Sequence, residues 1–418
     1  MEYEADPAPG SDRRWVIFFV GSANFVLSMF TRVSVTVISV PLSDEMGLTS
    51  SELAAVSAAF FYAFALSQIP LGIALQRVGP RLSAAALVCI GLVGTISFSL
   101  ASAYPGLVVA RILMGIGMSG NLMIVLALLA AWFPANRFAS LSGSVVSLGV
   151  LGNLLAATPL ALLSQSIGWR GSFYLVAATQ ALVGLLFVLI SRDSPSQAFN
   201  MFLTKSSERS QNLGRFFFTY SYWAISFASF VRYGYFAALQ GLWIVPYLSF
   251  GLGLGEIESA NALLAMGVGY MVSLPISGFV SDRVVRSRKW VIIATLFGLW
   301  VVCAFMDFWG NNLSKVELVG ALFLFGMFAG PGQIMYAHVK ELVSPQYTAS
   351  AMTAVNLFTV LGAAAMTQLI GTVMPSLPFN VSASVSFSPM WLCGTIALGL
   401  AIVFYIFVPE SKMFSKRL

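Results

Sequence analysis

The chain has 418 residues, 58% hydrophobic and 9% charged, with a mean hydropathy of +0.86 and a formal net charge of +6. So few polar side chains cannot cover a water-soluble globule of this size, which excludes a soluble enzyme or binding domain. Its apolar runs are continuous and rich in Leu, Ala, Gly and Phe, not short and alternating, so a β-barrel is excluded too.

At about 1.5 Å per residue, a run of about 20 apolar residues crosses a hydrocarbon layer roughly 30 Å thick. Such runs fall at 15–41, 53–75, 82–102, 106–132, 138–165, 171–191, 217–248, 257–281, 289–308, 316–338, 348–374 and 389–409. They predict an all-α membrane protein of twelve transmembrane helices. Arg13 and Arg14 ahead of the first run imitate a signal peptide, but the run is too long and lacks a small-residue cleavage site, so an uncleaved first helix is predicted. Cys89, Cys303 and Cys393 fall inside apolar runs and match no disulfide or metal-ligand spacing, and no cofactor is implied.

An even number of crossings puts both termini on one side, and the basic residues identify that side as cytoplasmic. Arg13, Arg14, Arg77, Arg81, Arg137, Arg192, Lys205, Arg209, Arg215, Arg283, Arg286, Arg288, Lys289, Lys340, Lys412, Lys416 and Arg417 share it, whereas only Arg170 and Lys315 lie opposite. The positive charge is therefore a topology signal, and no nucleic-acid partner is implied. Compact loops and short tails point to a multi-pass protein of a bacterial inner membrane.

The longest cytoplasmic connection carries TKSSERSQN and divides the chain into an N-terminal six-helix bundle (1–192), a linker (193–216) and a C-terminal six-helix bundle (217–418). Traces of a repeat relate the bundles. PLGIALQRVGPR after the second run answers PISGFVSDRVVRSRK after the eighth, and FASLSGSVVSLGVLG answers YTASAMTAVNLFTVLG. Two pseudo-symmetric halves around a central site are a transporter plan.

On these residues the sequence resembles the major facilitator superfamily along essentially its whole length. Gly72-Ile-Ala-Leu-Gln-Arg77-Val-Gly79-Pro-Arg81 is similar to the family's G-x-x-x-D-R-x-G-R-R loop, departing from it at Gln76 and Pro80. Gly278-Phe-Val-Ser-Asp282-Arg283 is the second copy and keeps the carboxylate, and Arg111-Ile-Leu-Met-Gly115-Ile-Gly117 resembles the family's R-x-x-x-G-x-G motif. The resemblance implies alternating access, with Gly72, Arg77, Gly79, Arg81, Gly278, Asp282 and Arg283 pinning the halves together at the cytoplasmic side. The glycines would permit close helix approach and Asp282 would accept hydrogen bonds; at Gln76 a charge-assisted clamp is impossible.

Three arginines, Arg32, Arg111 and Arg232, lie within runs, and a charge at mid-bilayer costs at least about 2.5–3.5 kcal/mol. All 16 acidic residues fall in tails, loops or outermost turns, so no carboxylate is available at that depth to Arg32 or Arg232. An unpaired guanidinium in a low-dielectric cavity is suited to a negatively charged ligand, and two can grip a carboxylate or phosphate. Arg32 in the first run and Arg232 in the seventh are therefore the predicted anion contacts, offset in depth by roughly 7 Å at helical rise. The structural alternative for each is snorkelling or a bond to helix carbonyls. An arginine on each of these helices also resembles the family's organic-phosphate antiporters.

Gln240 and Trp243, predicted one turn apart on one helix face, are the better of the further cavity candidates. The others are Tyr62, Arg111, Asn121, Tyr233, Gln333, Tyr336 and Asn356, with Asn153 and Gln368. The sole histidine, His338, falls at a helix end, so proton coupling through a buried carboxylate is disfavoured; anion exchange and facilitated transport both fit, and coupling through His338, Asp307 or the substrate stays open. The expected activity is transport of a small organic anion by a monomer in a lipid bilayer. A drug or cation exporter and a non-transporting anion receptor are the competing functions, while no nucleophile-base pair, metal cluster or phosphate loop supports an enzyme.

Overall fold

The computed structural model describes residues 13–133, 135–190, 218–343, 348–374 and 387–410. The linker 193–216 and both chain ends lie outside these residues. The first helices are α1 (Arg13–Met46), α2 (Ser50–Arg77) and α3 (Gly79–Leu100). Helix α4 is built from Tyr104–Met118 and Asn121–Trp132. Helix α5 comprises Ala135–Leu155 and its continuation to residue 167, and α6 follows from 169 to 190. Gly168, at φ +73°, makes the turn between α5 and α6, a conformation that costs glycine no Cβ clash.

Helix α7 starts as Tyr220–Ala238 and continues through the wide turns Leu239–Trp243 and Tyr247–Gly251; α8 is Glu256–Phe279 with a final wide turn, Val280–Val284. Next come α9 (Arg288–Trp309) and α10, which is Lys315–Ala329, a tight turn Gly330–Gly332, then Gln333–Leu342. Helices α11 (Thr348–Val373) and α12 (Ser388–Ile406) complete the bundle. Ten helical stretches are long and apolar enough to cross a membrane, one of them Thr158–Ile190. The interrupted α5 and the re-pitched α7 bring the crossings to the predicted twelve.

Local chemistry sets most boundaries. Thr49 with Glu52 and Ser314 with Glu317 form capping boxes that satisfy the first amides of α2 and α10. Two boundaries differ from the prediction. Helix α1 runs five residues beyond Pro41, because a proline removes only one ladder bond and α1's flanks are buried enough to hold the turn. Helix α10 is broken where Gly330-Pro331-Gly332 interrupts the ladder, with Pro331 at ψ 15°.

Lipid offers no hydrophobic drive between helices, so close packing rests on small residues. A Cβ on Gly115 would overlap the Phe60 carbonyl of α2, one on Gly117 would overlap the Gly91 backbone of α3, and Gly149 and Gly152 lie against Phe25 and the Val26 carbonyl of α1. At the crossing of α7 and α11, Gly234 faces Gly362. The R-x-x-x-G-x-G glycines thus act first as packing devices.

The two sets of six helices are hydrogen-bonded to each other at mid-helix and toward the end opposite the termini. Thr158 Oγ1 donates to Asn261 Oδ1 (2.7 Å) and Gln165 Nε2 to Glu256 Oε2 (3.2 Å), both from α5 to α8. Gly371 of α11 packs against Ala54 and Ser50 of α2 at the same end.

Gly117→Val is expected to lower the melting temperature in detergent by several degrees, because overpacking costs about 1–3 kcal/mol. Gly320→Val, whose Cβ position opens onto empty space, should leave it unchanged in the same thermal scan.

Candidate functional site

The site is built where α7 changes pitch. A wide turn closes its hydrogen bonds one residue later than an α-helix, and Pro246 has no amide to give four residues back, so carbonyls of this stretch are short of their usual partners. Two of them are taken up from the N-terminal helices. Thr36 Oγ1 of α1 donates to the Leu242 carbonyl (2.9 Å) and Ser57 Oγ of α2 to the Gly241 carbonyl (3.4 Å). These bonds hold α1 and α2 against α7 and place Arg32 opposite Tyr233.

Arg32 is half-buried on α1, and its Nη1 donates to the Tyr233 hydroxyl at 2.6 Å. Its guanidinium carbon lies 5.1 Å from the Phe64 ring centre and 5.9 Å from that of Phe61, within cation–π range. Its Nε is buried without a partner, and among the described residues no carboxylate pairs with it. The aromatic faces lower the cost of the charge but leave donors unused, so the group retains capacity to bind an anion.

Arg111 is fully buried on α4. Its Nη1 donates to the Thr31 carbonyl at 3.1 Å and its guanidinium lies 4.5 Å from the Phe60 ring centre, while Nε and Nη2 have no partner. It grips the residue adjacent to Arg32, so its contact with the site runs through α1. Arg232, 4% exposed on α7, donates from Nη1 to the Ala329 carbonyl at the α10 break.

The remaining candidates divide into groups. Tyr233 contacts Arg32 directly. The Tyr336 hydroxyl lies 2.9 Å from Asn356 Oδ1 and 3.3 Å from Thr359 Oγ1, making a polar cluster between α10 and α11. Tyr62 is half-buried beside Phe61, and the Gln333 side chain lies outside the described residues. Asn121 is occupied in joining α4 to α1: Asn24 Nδ2 donates to its Oδ1 (3.2 Å), and its own Nδ2 donates to the Asn24 backbone carbonyl (3.2 Å). Gln240 and Trp243 do not share a face as predicted, because the wide turn shifts the register: Trp243 is fully buried and donates to the Thr367 carbonyl of α11 (3.0 Å), while Gln240 points toward Gly267 of α8.

Sequence reasoning missed Tyr270 of α8. It stacks on Phe236 with ring centres 4.5 Å apart, and its carbonyl lies against Gly330 at the α10 break. Its signal was a lone phenol in the run GVGYMVS. Phe61 and Phe64 were also missed, since aromatic residues in an apolar span read as ordinary packing.

The predicted gating residues lie at the end that carries the termini. Gly79 adopts φ +82°, and Gly72 and Gly278 face open space, so the close approach expected at the latter two is not made in this conformation. Arg77 is exposed and Arg81 Nε donates to the Val188 carbonyl (3.1 Å). Asp282 pairs with Arg288, which also binds Glu341 (3.0 Å), and Arg283 lies over the Phe279 ring. These bonds stay within the C-terminal helices. Glu410 accepts from Ser287 Oγ and from the amides of Arg288 (3.2 Å) and Lys289 (3.4 Å), tying the end of α12 to the start of α9. His338 is committed nearby: its Nε2 lies 3.0 Å from the Pro409 carbonyl, which can only accept, so Nδ1 accepts from the Tyr405 hydroxyl at 2.8 Å.

A twelve-helix bundle with polar and cationic groups at the seam between two sets of six defines a polytopic membrane transporter. Residues 20–367 match the family model of the Major Facilitator Superfamily, and the chain belongs to that superfamily. It is a transporter and not an enzyme. The chain is 26% identical over 334 residues to a probable sulfoacetate transporter of Cupriavidus necator, covering 75% of this chain and 76% of that protein. It is 24% identical to a probable L-galactonate transporter of Escherichia coli (96% and 90% covered) and 23% identical to a hexuronate transporter of Bacillus subtilis (79% and 81%). The fold is similar to the crystal structure of a bacterial homologue of the human lysosomal transporter Spinster, at a TM-score of 0.77 and 18% identity, covering 96% and 97% of the two chains.

Arg111→Ala is expected to lose a large part of the protein's thermal stability. A buried side chain removed without collapse of its site costs about 2–5 kcal/mol. Arg111→Lys should recover only part, because an ammonium cannot lie flat on Phe60 while bonding the Thr31 carbonyl. Melting curves of the two variants in detergent check both expectations.

Proposed function

We propose that this protein carries a small organic anion across the membrane by alternating access, with Arg32 as its principal anion contact. The observation that carries the reading is the Arg32 guanidinium at the seam between the helix sets, held by one phenol and two ring faces with donors to spare. Its relatives' names agree in kind: sulfoacetate, L-galactonate, hexuronate and, in Chlamydia trachomatis, a probable hexose phosphate are all anions. Tyr233, Tyr270 and Tyr336 with Asn356 supply hydroxyl and amide groups suited to the uncharged parts of such a molecule. Arg232 adds positive potential from the far side of Tyr233.

The basic residues orient both termini to the cytoplasm, in a bacterial inner membrane. The bonds Thr158–Asn261 and Gln165–Glu256 then lie on the outer side. Anion exchange or facilitated transport fits the absence of a carboxylate beside Arg32 among the described residues, with His338 tied into the α12 terminus.

A thermal-shift screen of purified protein against galactonate, glucuronate, sulfoacetate, a hexose phosphate and a lipophilic cation tests the reading. At least one anion should stabilise the wild type. Arg32→Ala should weaken its binding roughly 10- to 150-fold, the loss of one charged hydrogen bond worth about 1.5–3 kcal/mol. Counterflow of the same anion in proteoliposomes should fall with it. Stabilisation by the cation alone, equal in wild type and variant, would sink the proposal in favour of an exporter.

A further inference from the structure

Arg232 and the α10 break fit one another closely. Pro331 has no amide to give to the helix ladder, and in the tight turn Gly330–Gly332 the Ala329 carbonyl keeps a second lone pair for an outside donor. Arg232 Nη1 supplies that donor. The guanidinium lies directly on Gly332: a Cβ at this position would overlap Nη2 and Cζ, so only glycine leaves the space. From the other side, Ser273 Oγ and the Tyr270 carbonyl of α8 press on Gly330, where a Cβ would again find no room. The turn is held between α7 and α8, and both its glycines are used.

The accommodation is incomplete. Arg232 Nε is buried with no partner, although the residue is only 4% exposed. Among the described residues one carbonyl therefore answers a buried cation whose planar fork carries five donors. An anion offers a stronger partner than a neutral carbonyl, since charge-assisted bonds are roughly twice as strong. Arg232 is also joined in sequence to Tyr233, which holds Arg32, so the two guanidiniums flank one short segment of α7.

We propose that the Gly330–Pro331–Gly332 turn is a socket that withholds Arg232 from the cavity, and that Gly332 is the positioning residue deciding whether the site presents one guanidinium or two. In the seated state Arg32 alone faces the ligand. When Arg232 leaves the socket, its positive charge joins Arg32, the Ala329 carbonyl loses the bond from Nη1, and the bend of α10 is free to change. Occupancy of the site is thereby linked to the shape of α10. The inference rests on Arg32 being the anion contact, but its first test needs no ligand.

Full-length protein in lipid nanodiscs is treated with p-hydroxyphenylglyoxal, which adds to accessible guanidiniums, and modification of Arg32 and Arg232 is followed by peptide mass spectrometry. In the wild type Arg32 should react and Arg232 should be protected at least about tenfold relative to it. In Gly332→Ala, where the added methyl fills the socket, Arg232 should react at a rate approaching that of Arg32. Equal reactivity in the wild type overturns the proposal, even if Gly332→Ala fails to fold. Continued protection of Arg232 in a folded Gly332→Ala protein overturns it too.

The second arm is galactonate titrated calorimetrically. Gly332→Ala should tighten binding about 3- to 10-fold by raising the fraction of protein with both guanidiniums available, and the gain should vanish when Arg232→Gln is added. A gain that persists without Arg232 sinks the competition. Absence of galactonate binding in every protein counts against galactonate as substrate, while the labelling result still decides the socket.

Discussion

The expense of holding a guanidinium inside a low-dielectric bundle governs this molecule. With the acidic residues confined to tails, loops and helix ends, an arginine at depth must find substitutes for a carboxylate, and the three buried arginines find different ones. Arg111 uses a carbonyl of α1 and the face of Phe60, and so fastens α4 to α1. Arg232 uses the Ala329 carbonyl beside the break in α10. Arg32 uses a phenol from the other set of helices and two ring faces from α2. Each solution joins two helices, so the charges organise the packing as well as the chemistry.

The irregular parts of the helices are where these solutions are made. Carbonyls at the wide turn Leu239–Trp243 accept from Thr36 and Ser57, and the Ala329 carbonyl at the tight turn in α10 accepts from Arg232. Backbone that departs from the regular ladder is tolerated at membrane depth only where side chains re-satisfy it. Here the re-satisfying groups come from neighbouring helices, which makes the departures into contacts between helices. Hydroxyl-to-carbonyl bonds of this kind are individually modest, about 0.5–1.5 kcal/mol.

Much of the architecture was legible beforehand. Twelve crossings follow from the length of each apolar run, because a bilayer admits little variation in helix length. Membership in the transporter class was carried by the loop and helix motifs between Gly72 and Gly117. The break in α10 was visible as Gly-Pro-Gly yet was read through, and the first wide turn of α7 had no such mark of its own: LQGLW contains nothing that forbids an α-helix. That unmarked change of pitch is why Gln240 and Trp243 were assigned to one face and stand on two.

What the sequence determined by itself was the class of environment and the presence of unneutralised positive charge within it, since both depend only on composition and on position along single helices. Arg32 and Arg232 were indistinguishable at that level: two cations in apolar runs, each lacking a carboxylate at its depth, with Arg111 set apart only as a further cavity candidate. Only the tertiary structure decided which of them keeps donors free beside Tyr233, which fastens α4 to α1, and which rests on Gly332. The reason is physical: a guanidinium's disposition depends on which carbonyls and ring faces lie within a few ångströms of its five donors. Those groups come from helices distant in sequence, brought together by the crossings at Gly115, Gly117, Gly234 and Gly362.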